Sequence, residues 1–159
     1  MTDHTYMTVL FEVFWAQQKR TALLEAALEG IGLAPEDYPF YVMIGAEGPW
    51  TPTDLAARLQ MPLSTVIFRM RRLVRSGHAE RVENPEDGRS FLIRLTAEGQ
   101  ELLDLARPRF RDYAEAVERR LGSKRTTAIA AGLAALREAI DEELTARDAS
   151  ASPAPTRAR

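Results

Sequence analysis

Six residues of one short segment have types and spacing that suit contact with a polyanion. Ser64, Thr65, Phe68, Arg71, Arg72 and Arg75 fall on one side of a helix drawn at ~100° per residue, with Arg69 on its flank. The other side carries Leu63, Val66, Met70, Leu73 and Val74, an apolar core face. Arginine presents a fork of donors that matches phosphate oxygens and the edge of guanine, and small hydroxyls near a helix start can reach backbone or base. Phe68 has two readings: an apolar contact to thymine methyls, or packing beneath a neighbouring hairpin. A second constellation is Asp87-Gly88-Arg89, in the turn-rich run Asn84 to Ser90. Chemistry of other kinds lacks its residues. There is no cysteine, only two histidines, no glycine-rich phosphate loop and no histidine–carboxylate pair at motif spacing. No metal, no cofactor and no enzymatic activity are expected.

The net charge of −2 argues against a polyanion partner, but it averages two unlike regions. Residues 1–50 hold two basic and seven acidic side chains. Residues 58–94 hold eight arginines and four acids, a local excess of +4. A polyanion responds to the local field.

The elements that must position these residues can be read from pattern and punctuation. A helix is expected over residues 6–29, ended by Gly30 and Gly32. A second is expected from Glu36 to Ala46, with Pro39 in its first turn, before the breaker Gly48-Pro49. Thr51 suits an N-cap, with Pro52 at the first helical position and Asp54 three residues on, so a third helix should cover Pro52 to Gln60. The arginine-bearing helix follows from Leu63 to Ser76 and stops at Gly77. Ala79–Glu83 and Phe91–Leu95 are short and strand-like, joined by the turn-rich run as a hairpin. Thr96 caps a long helix in which Pro108 predicts a kink or break. Gly122-Ser123 opens a last helix carrying Ile129, Leu133, Leu136, Ile140 and Leu144, and the tail from Asp148 is expected to be disordered. The fold class is mainly α with a small β-hairpin.

Helix, turn, helix, hairpin in that order is a winged helix-turn-helix. A major groove ~12 Å wide admits one helix, and a hairpin beside it can reach the adjacent minor groove. Residues 51–103 resemble the winged helix-turn-helix of MarR-type regulators. The matching pieces are TPTDLAARL, the Ser64-Thr65 pair, RRLVRSGHAER, the wing NPEDGRS and the closing LTAEG. The flanking helices extend the resemblance to about residues 6–146. It implies a homodimer whose first and last helices interleave with the partner's. Arg89 would be the wing arginine in the minor groove, oriented by Asp87, reading groove shape more than base identity. Gly88 stands where the family often has a basic residue, and Phe68 and Arg69 also depart from its pattern.

These readings divide the chain into an N-terminal dimerisation helix (1–35), a winged helix-turn-helix (36–100, recognition helix 63–76, wing 79–95), C-terminal dimerisation helices (101–147) and a tail (148–159). The expected function is a cytoplasmic, sequence-specific regulator, a repressor by the resemblance, that binds a pseudo-palindromic double-stranded operator. Contacts are expected from Thr51, Thr53, Ser64, Thr65, Phe68, Arg69, Arg71, Arg72, Arg75, Asp87 and Arg89. Phe11, Phe14, Trp15, Tyr38 and Tyr41 either line a pocket for a small aromatic or lipophilic effector or belong to the dimer core, and Trp50 either caps that pocket or packs on Leu55. His78 reads as a hairpin-base residue. No membrane partner is expected. The competing function is a dimeric winged-helix module that sequesters a ligand or binds protein without binding DNA.

Overall fold

The computed structural model describes residues 8–151. The first residues of the expected first helix and all of the tail beyond 151 lie outside the described residues. Six helices and one hairpin follow in order: α1 (Val9–Leu28), α2 (Tyr38–Glu47), α3 (Pro52–Leu59), α4 (Leu63–Arg75), β1 (Ala79–Glu83), β2 (Phe91–Leu95), α5 (Ala97–Leu121) and α6 (Ser123–Ala151). The chain divides into two compact units, one up to Tyr113 and one from Ala114. The fold class is as expected, mainly α with one antiparallel pair of strands.

The first unit is built on one core. Leu24, Phe40, Leu55, Val66, Leu73, Ile93 and Leu103 are fully buried, so α1, α2, α3, α4, β2 and α5 all contribute. The caps explain why the elements start and stop where they do. Thr51 Oγ1 accepts the Asp54 N–H at 3.1 Å and donates to Asp54 Oδ2 at 2.7 Å, a reciprocal cap that starts α3. Gln60, at φ 52°, closes it. Gly77, at φ +79°, lets the chain leave α4, and the His78 N–H returns to Leu73 O at 3.0 Å as β1 begins. The hairpin runs in register from Ala79 opposite Leu95 to Glu83 opposite Phe91. Trp50 adds a two-bond bridge to Ile93, N–H to O at 3.2 and 2.8 Å, which ties the entry of α3 to β2.

The LTAEG segment closes the hairpin onto α5. Thr96 Oγ1 donates to Gly77 O at 2.6 Å and accepts from Gly99 N–H at 3.2 Å. A Cβ on Gly99 would lie 1.9 Å from His78 O, so only glycine permits this approach. Of the kink or break expected at Pro108, the break is absent, since α5 is helical without interruption from Ala97 to Leu121. Leu103 and Ala106 are buried before the proline, and after it Phe110 meets Tyr38 at 5.1 Å between ring centroids. Packing on both sides holds the helix against a proline cost of about 3 kcal/mol.

In the second unit, Gly122 at φ +78° separates the helices, and Thr126 N–H returns to Gly122 O at 3.1 Å. α6 extends to Ala151, past residue 148 where the tail was expected to begin. Ile129, Leu133, Ile140 and Leu144 are exposed along it. No helix among the described residues is long and apolar enough to cross a membrane.

Candidate nucleic-acid interface

The recognition-type helix α4 buries Val66, Met70 and Leu73 and turns two rows of side chains away from them. The first row is Ser64, Phe68, Arg71 and Arg75, spaced four, three and four residues apart, one continuous helical stripe. All four are exposed. Phe68, at 57% exposed, does not pack beneath the hairpin. With Arg71, Val74, Arg75 and Arg81 it lines a groove of about 410 Å³ between α4 and β1. Arg81 is placed by Phe91, over whose ring its guanidinium lies at 4.3 Å. The register puts Arg81 diagonal to Phe91 on the same hairpin face, where a long side chain can reach an aromatic ring.

The second row is Thr65, Arg69 and Arg72, rotated toward α2, and here the expected contacts need correction. Arg69 and Arg72 do not stand free for DNA. Arg69 Nη1 donates to Asp37 Oδ1 at 2.9 Å and lies 3.5 Å from Glu36 Oε1. Arg72 Nε donates to Asp37 Oδ2 at 2.7 Å, its Nη2 closes the second arm of that fork, and Nη1 and Nη2 each reach Glu36 Oε1 at 3.4 Å. Asp37 is only 5% exposed. A buried carboxylate needs such partners, and removing them from a buried pair costs about 3–5 kcal/mol. Burial works against the Arg72 charge, but the hydrogen bonds and charge of Asp37 outweigh it and raise the Arg72 pKa. Glu36 is lowered, first by a backbone hydrogen bond at its own residue, then by the charges of Arg72 and Arg69 against a desolvation cost. The pull of Asp37 was missed because it lies 32 and 35 residues away in sequence.

The other arginines sort in the same way. Arg58 pairs with Glu47 through two bonds of 3.1 Å, and Arg94 pairs across the hairpin with Glu80 at 2.7 Å. Among the described residues, Arg71, Arg75, Arg81 and Arg89 remain without a carboxylate partner. The local positive excess therefore concentrates on the outer row of α4, on β1 and on the hairpin tip.

That tip is held by its own side chains. Asn84, nearly buried, donates to Ser90 Oγ at 2.7 Å and accepts from Glu86 N–H at 3.0 Å. Asp87 Oδ1 accepts the Arg89 backbone N–H at 3.0 Å, and Ser90 Oγ returns to Asp87 O at 3.1 Å. Asp87 thus acts on the Arg89 main chain, shaping the turn from which the exposed side chain departs. Thr51 spends its hydroxyl in the α3 cap, while Thr53 is exposed beside it. Sequence reasoning missed Arg81 and Asn84 as parts of this surface. Arg81 had entered the charge count but was placed only as a strand residue, and Asn84 only as a turn former.

The six aromatic effector candidates occupy distinct environments. Tyr38 and Tyr41 are buried in the core, and Trp50 donates its indole N–H to Met43 O at 3.0 Å. Phe11, Phe14 and Trp15 are exposed on α1, with the Phe11 and Trp15 rings 6.1 Å apart. Tyr41 meets His78 instead, with its hydroxyl 2.5 Å from Nδ1, and His78 Nε2 lies 3.7 Å from Glu98 Oε1. Burial, followed by the charge of Asp37, pushes the Tyr41 pKa up to about 12. His78 accordingly joins the hairpin base to α2 and α5. Among the described residues no group of three or more His, Cys, Asp or Glu could hold a metal ion.

Comparison with known proteins agrees with this geometry. The profile of the winged helix DNA-binding domain matches residues 43–99. The multiple antibiotic resistance protein MarR of Salmonella typhimurium is 29% identical over 87 residues, which span 55% of this chain and 60% of that protein. A probable transcriptional regulator from Pseudomonas aeruginosa superposes with a TM-score of 0.73 at 25% identity, covering 81% of this chain and 96% of that one. A cysteine-to-serine mutant of MarR from E. coli, solved in complex with operator DNA, gives a TM-score of 0.77 over 86% of this chain and 98% of its own, and its 20% identity makes this a likeness of fold. With α3, α4 and the hairpin in place and these relatives beside it, the chain carries a winged helix DNA-binding domain and is similar to MarR-type transcriptional regulators.

Proposed function

We propose that this protein binds a pseudo-palindromic double-stranded operator as a homodimer and represses transcription in the cytoplasm. The observation that carries the reading is the outer row Ser64, Phe68, Arg71 and Arg75, exposed and free of carboxylates among the described residues, with Arg81 beside it and Arg89 at the hairpin tip. A helix presenting hydroxyl, ring and two forks on one stripe suits the major groove, and an exposed arginine on a shaped turn suits the minor groove. In a two-fold dimer the two recognition helices would enter successive major grooves ~34–36 Å apart. The fold likeness to a regulator solved on its operator supports the same docking.

Dimerisation is supported by apolar side chains that each unit leaves uncovered. α1 exposes Val9, Leu10, Phe11, Phe14 and Trp15, and α6 exposes Ile129, Leu133, Ile140 and Leu144. Rows of this kind are what a partner helix covers. An aromatic or lipophilic effector would meet Phe11, Phe14 and Trp15, the exposed members of the expected set. It would release DNA by changing the spacing of the two recognition helices.

A mobility-shift titration of the protein against its own upstream region tests the function. The expected result is saturable retardation, lost when the duplex is scrambled, with Arg89→Ala weakening it by about 1–3 kcal/mol while the fold stays intact. Equal retardation of both duplexes, or an Arg89→Ala variant that binds as the parent does, would rule it out in favour of a module that does not read DNA.

A further inference from the structure

α4 carries four arginines, and the structure divides them between two fates. Arg71 and Arg75 are exposed and have no carboxylate partner among the described residues. Arg69 and Arg72, one residue away around the helix, are gripped by Asp37 and Glu36 where α2 begins. Arg81, on β1, lines the same groove as Arg71 and Arg75.

We infer that Asp37 and Glu36 act as an internal stand-in for DNA phosphate, withholding Arg69 and Arg72 from the polyanion. Asp37 is thereby a positioning and specificity-determining residue for DNA binding; the inference rests on the DNA-binding reading above. The chemistry is direct. A carboxylate offers a guanidinium the same two-point acceptor that a phosphate does. Asp37 is buried between two arginines, so one that left it for DNA would leave a buried carboxylate with half of its charged partners. Arg72 is held through both arms of its fork and by Glu36 as well, so it is the less free of the two second-row arginines to exchange partners. Every phosphate contact strengthens binding to all sequences alike, whereas base contacts discriminate. Taking two arginines out of the phosphate count lowers the sequence-independent background. It leaves recognition to Ser64, Phe68, Arg71 and Arg75, and the same carboxylates fix the rotation of α4 about its axis against α2.

The test is the salt dependence of binding to a random-sequence duplex, read by fluorescence anisotropy on the full chain, with folding checked by circular dichroism. Each phosphate contact contributes about 0.9 to the slope of log affinity against log salt. Arg71→Gln should lower the slope by about that amount, and Arg72→Gln should leave it unchanged. Asp37→Asn, which keeps shape and acceptor but removes the charge, should raise the slope by about 0.9–1.8. Adding Arg72→Gln to Asp37→Asn should remove about half of that gain, and Glu36→Gln, at the exposed member, should give a smaller rise. A purely structural ion cluster would alter stability and leave all slopes alike. Arg72→Gln lowering the slope as much as Arg71→Gln, or a folded Asp37→Asn variant with the parent slope, would overturn the inference. If Asp37→Asn does not fold, the comparison of Arg71→Gln with Arg72→Gln decides it alone. Failure of sequence-specific binding would show instead as equal affinity for the upstream and random duplexes. A chain with no duplex affinity would still be ranked by its elution salt on heparin.

Discussion

At the scale of residues, the surface is defined by which charges are already spent. Arg58, Arg69, Arg72 and Arg94 have carboxylates, and Arg71, Arg75, Arg81 and Arg89 have none among the described residues. Mutations in the two groups should therefore fail differently. Arg71→Ala should weaken DNA binding by about 1–3 kcal/mol with little change in melting, whereas Arg72→Ala should lower stability by leaving the buried Asp37 carboxylate with Arg69 as its remaining charged partner. Thermal melts beside anisotropy titrations check this, and equal effects of both variants on both readouts would contradict it. The same cluster sets an acid limit. The Glu36 pKa is lowered from 4.5, first by its backbone hydrogen bond and then by Arg72 and Arg69. A depressed folded-state pKa means the stability Glu36 contributes is complete above that ordinary value and is lost as pH falls through the folded one. Urea midpoints should decline on acidification below about pH 4.5, less steeply in Glu36→Gln. An identical acid limb in both proteins would speak against the pairing. The outward stripe of α4 was legible from helical periodicity, because the core positions fix the opposite face. The partners of its second row were not, because a helical wheel gives direction and says nothing of what another helix places there.

At the scale of elements, each part of the surface is held by a named closure. Thr51 and Asp54 start α3, Trp50 ties that start to β2, and Thr96 with Gly99 brings α5 against the end of α4. Thr51 with Asp54 and Thr96 were readable as caps, since their residue types carry the geometry locally, whereas the Trp50 bridge and the close approach at Gly99 depend on distant partners. The continuity of α5 through Pro108 was not readable, because local rules predict a break and only the packing of Leu103, Ala106 and Phe110 overrides it. The hairpin tip behaves as a unit through Asn84, whose amide joins Ser90 to the Glu86 main chain. Asn84→Ala should loosen the tip while leaving α4 in place. The expected outcome is faster amide exchange across residues 85–90 and a loss of affinity of about 1 kcal/mol, from the removal of one buried hydrogen-bonded group. Unchanged exchange would show that Asn84 does not organise the wing.

At the scale of the whole molecule, a chain of slightly negative net charge presents a positive, carboxylate-free stripe on one helix and hairpin. It also leaves apolar rows on the helices at its two ends. The first supports DNA as the partner, and the second a further copy of the chain. Replacing Phe14 and Trp15 by serine should shift sedimentation from dimer toward monomer and weaken operator binding, since each half-site would then bind without its neighbour. A dimer that survives these changes would place its interface elsewhere. The winged helix was legible in the order of motifs from Thr51 to Gly99, because that fold needs its caps, its turn glycine and its close-approach glycine at fixed intervals. The distribution of the six aromatic side chains was not, because aromatic residues serve core and pocket alike.

The central claim is that the exposed stripe of α4 and the hairpin arginine read duplex DNA. It is tested most directly by an anisotropy titration of the protein against its upstream duplex and a scrambled duplex over a range of salt. The account predicts that affinity falls linearly with log salt on both duplexes, that the upstream duplex binds more tightly throughout, and that Arg71→Gln and Arg89→Ala together remove most of that preference. Equal affinity for the two duplexes, or binding indifferent to salt and to both substitutions, would contradict it.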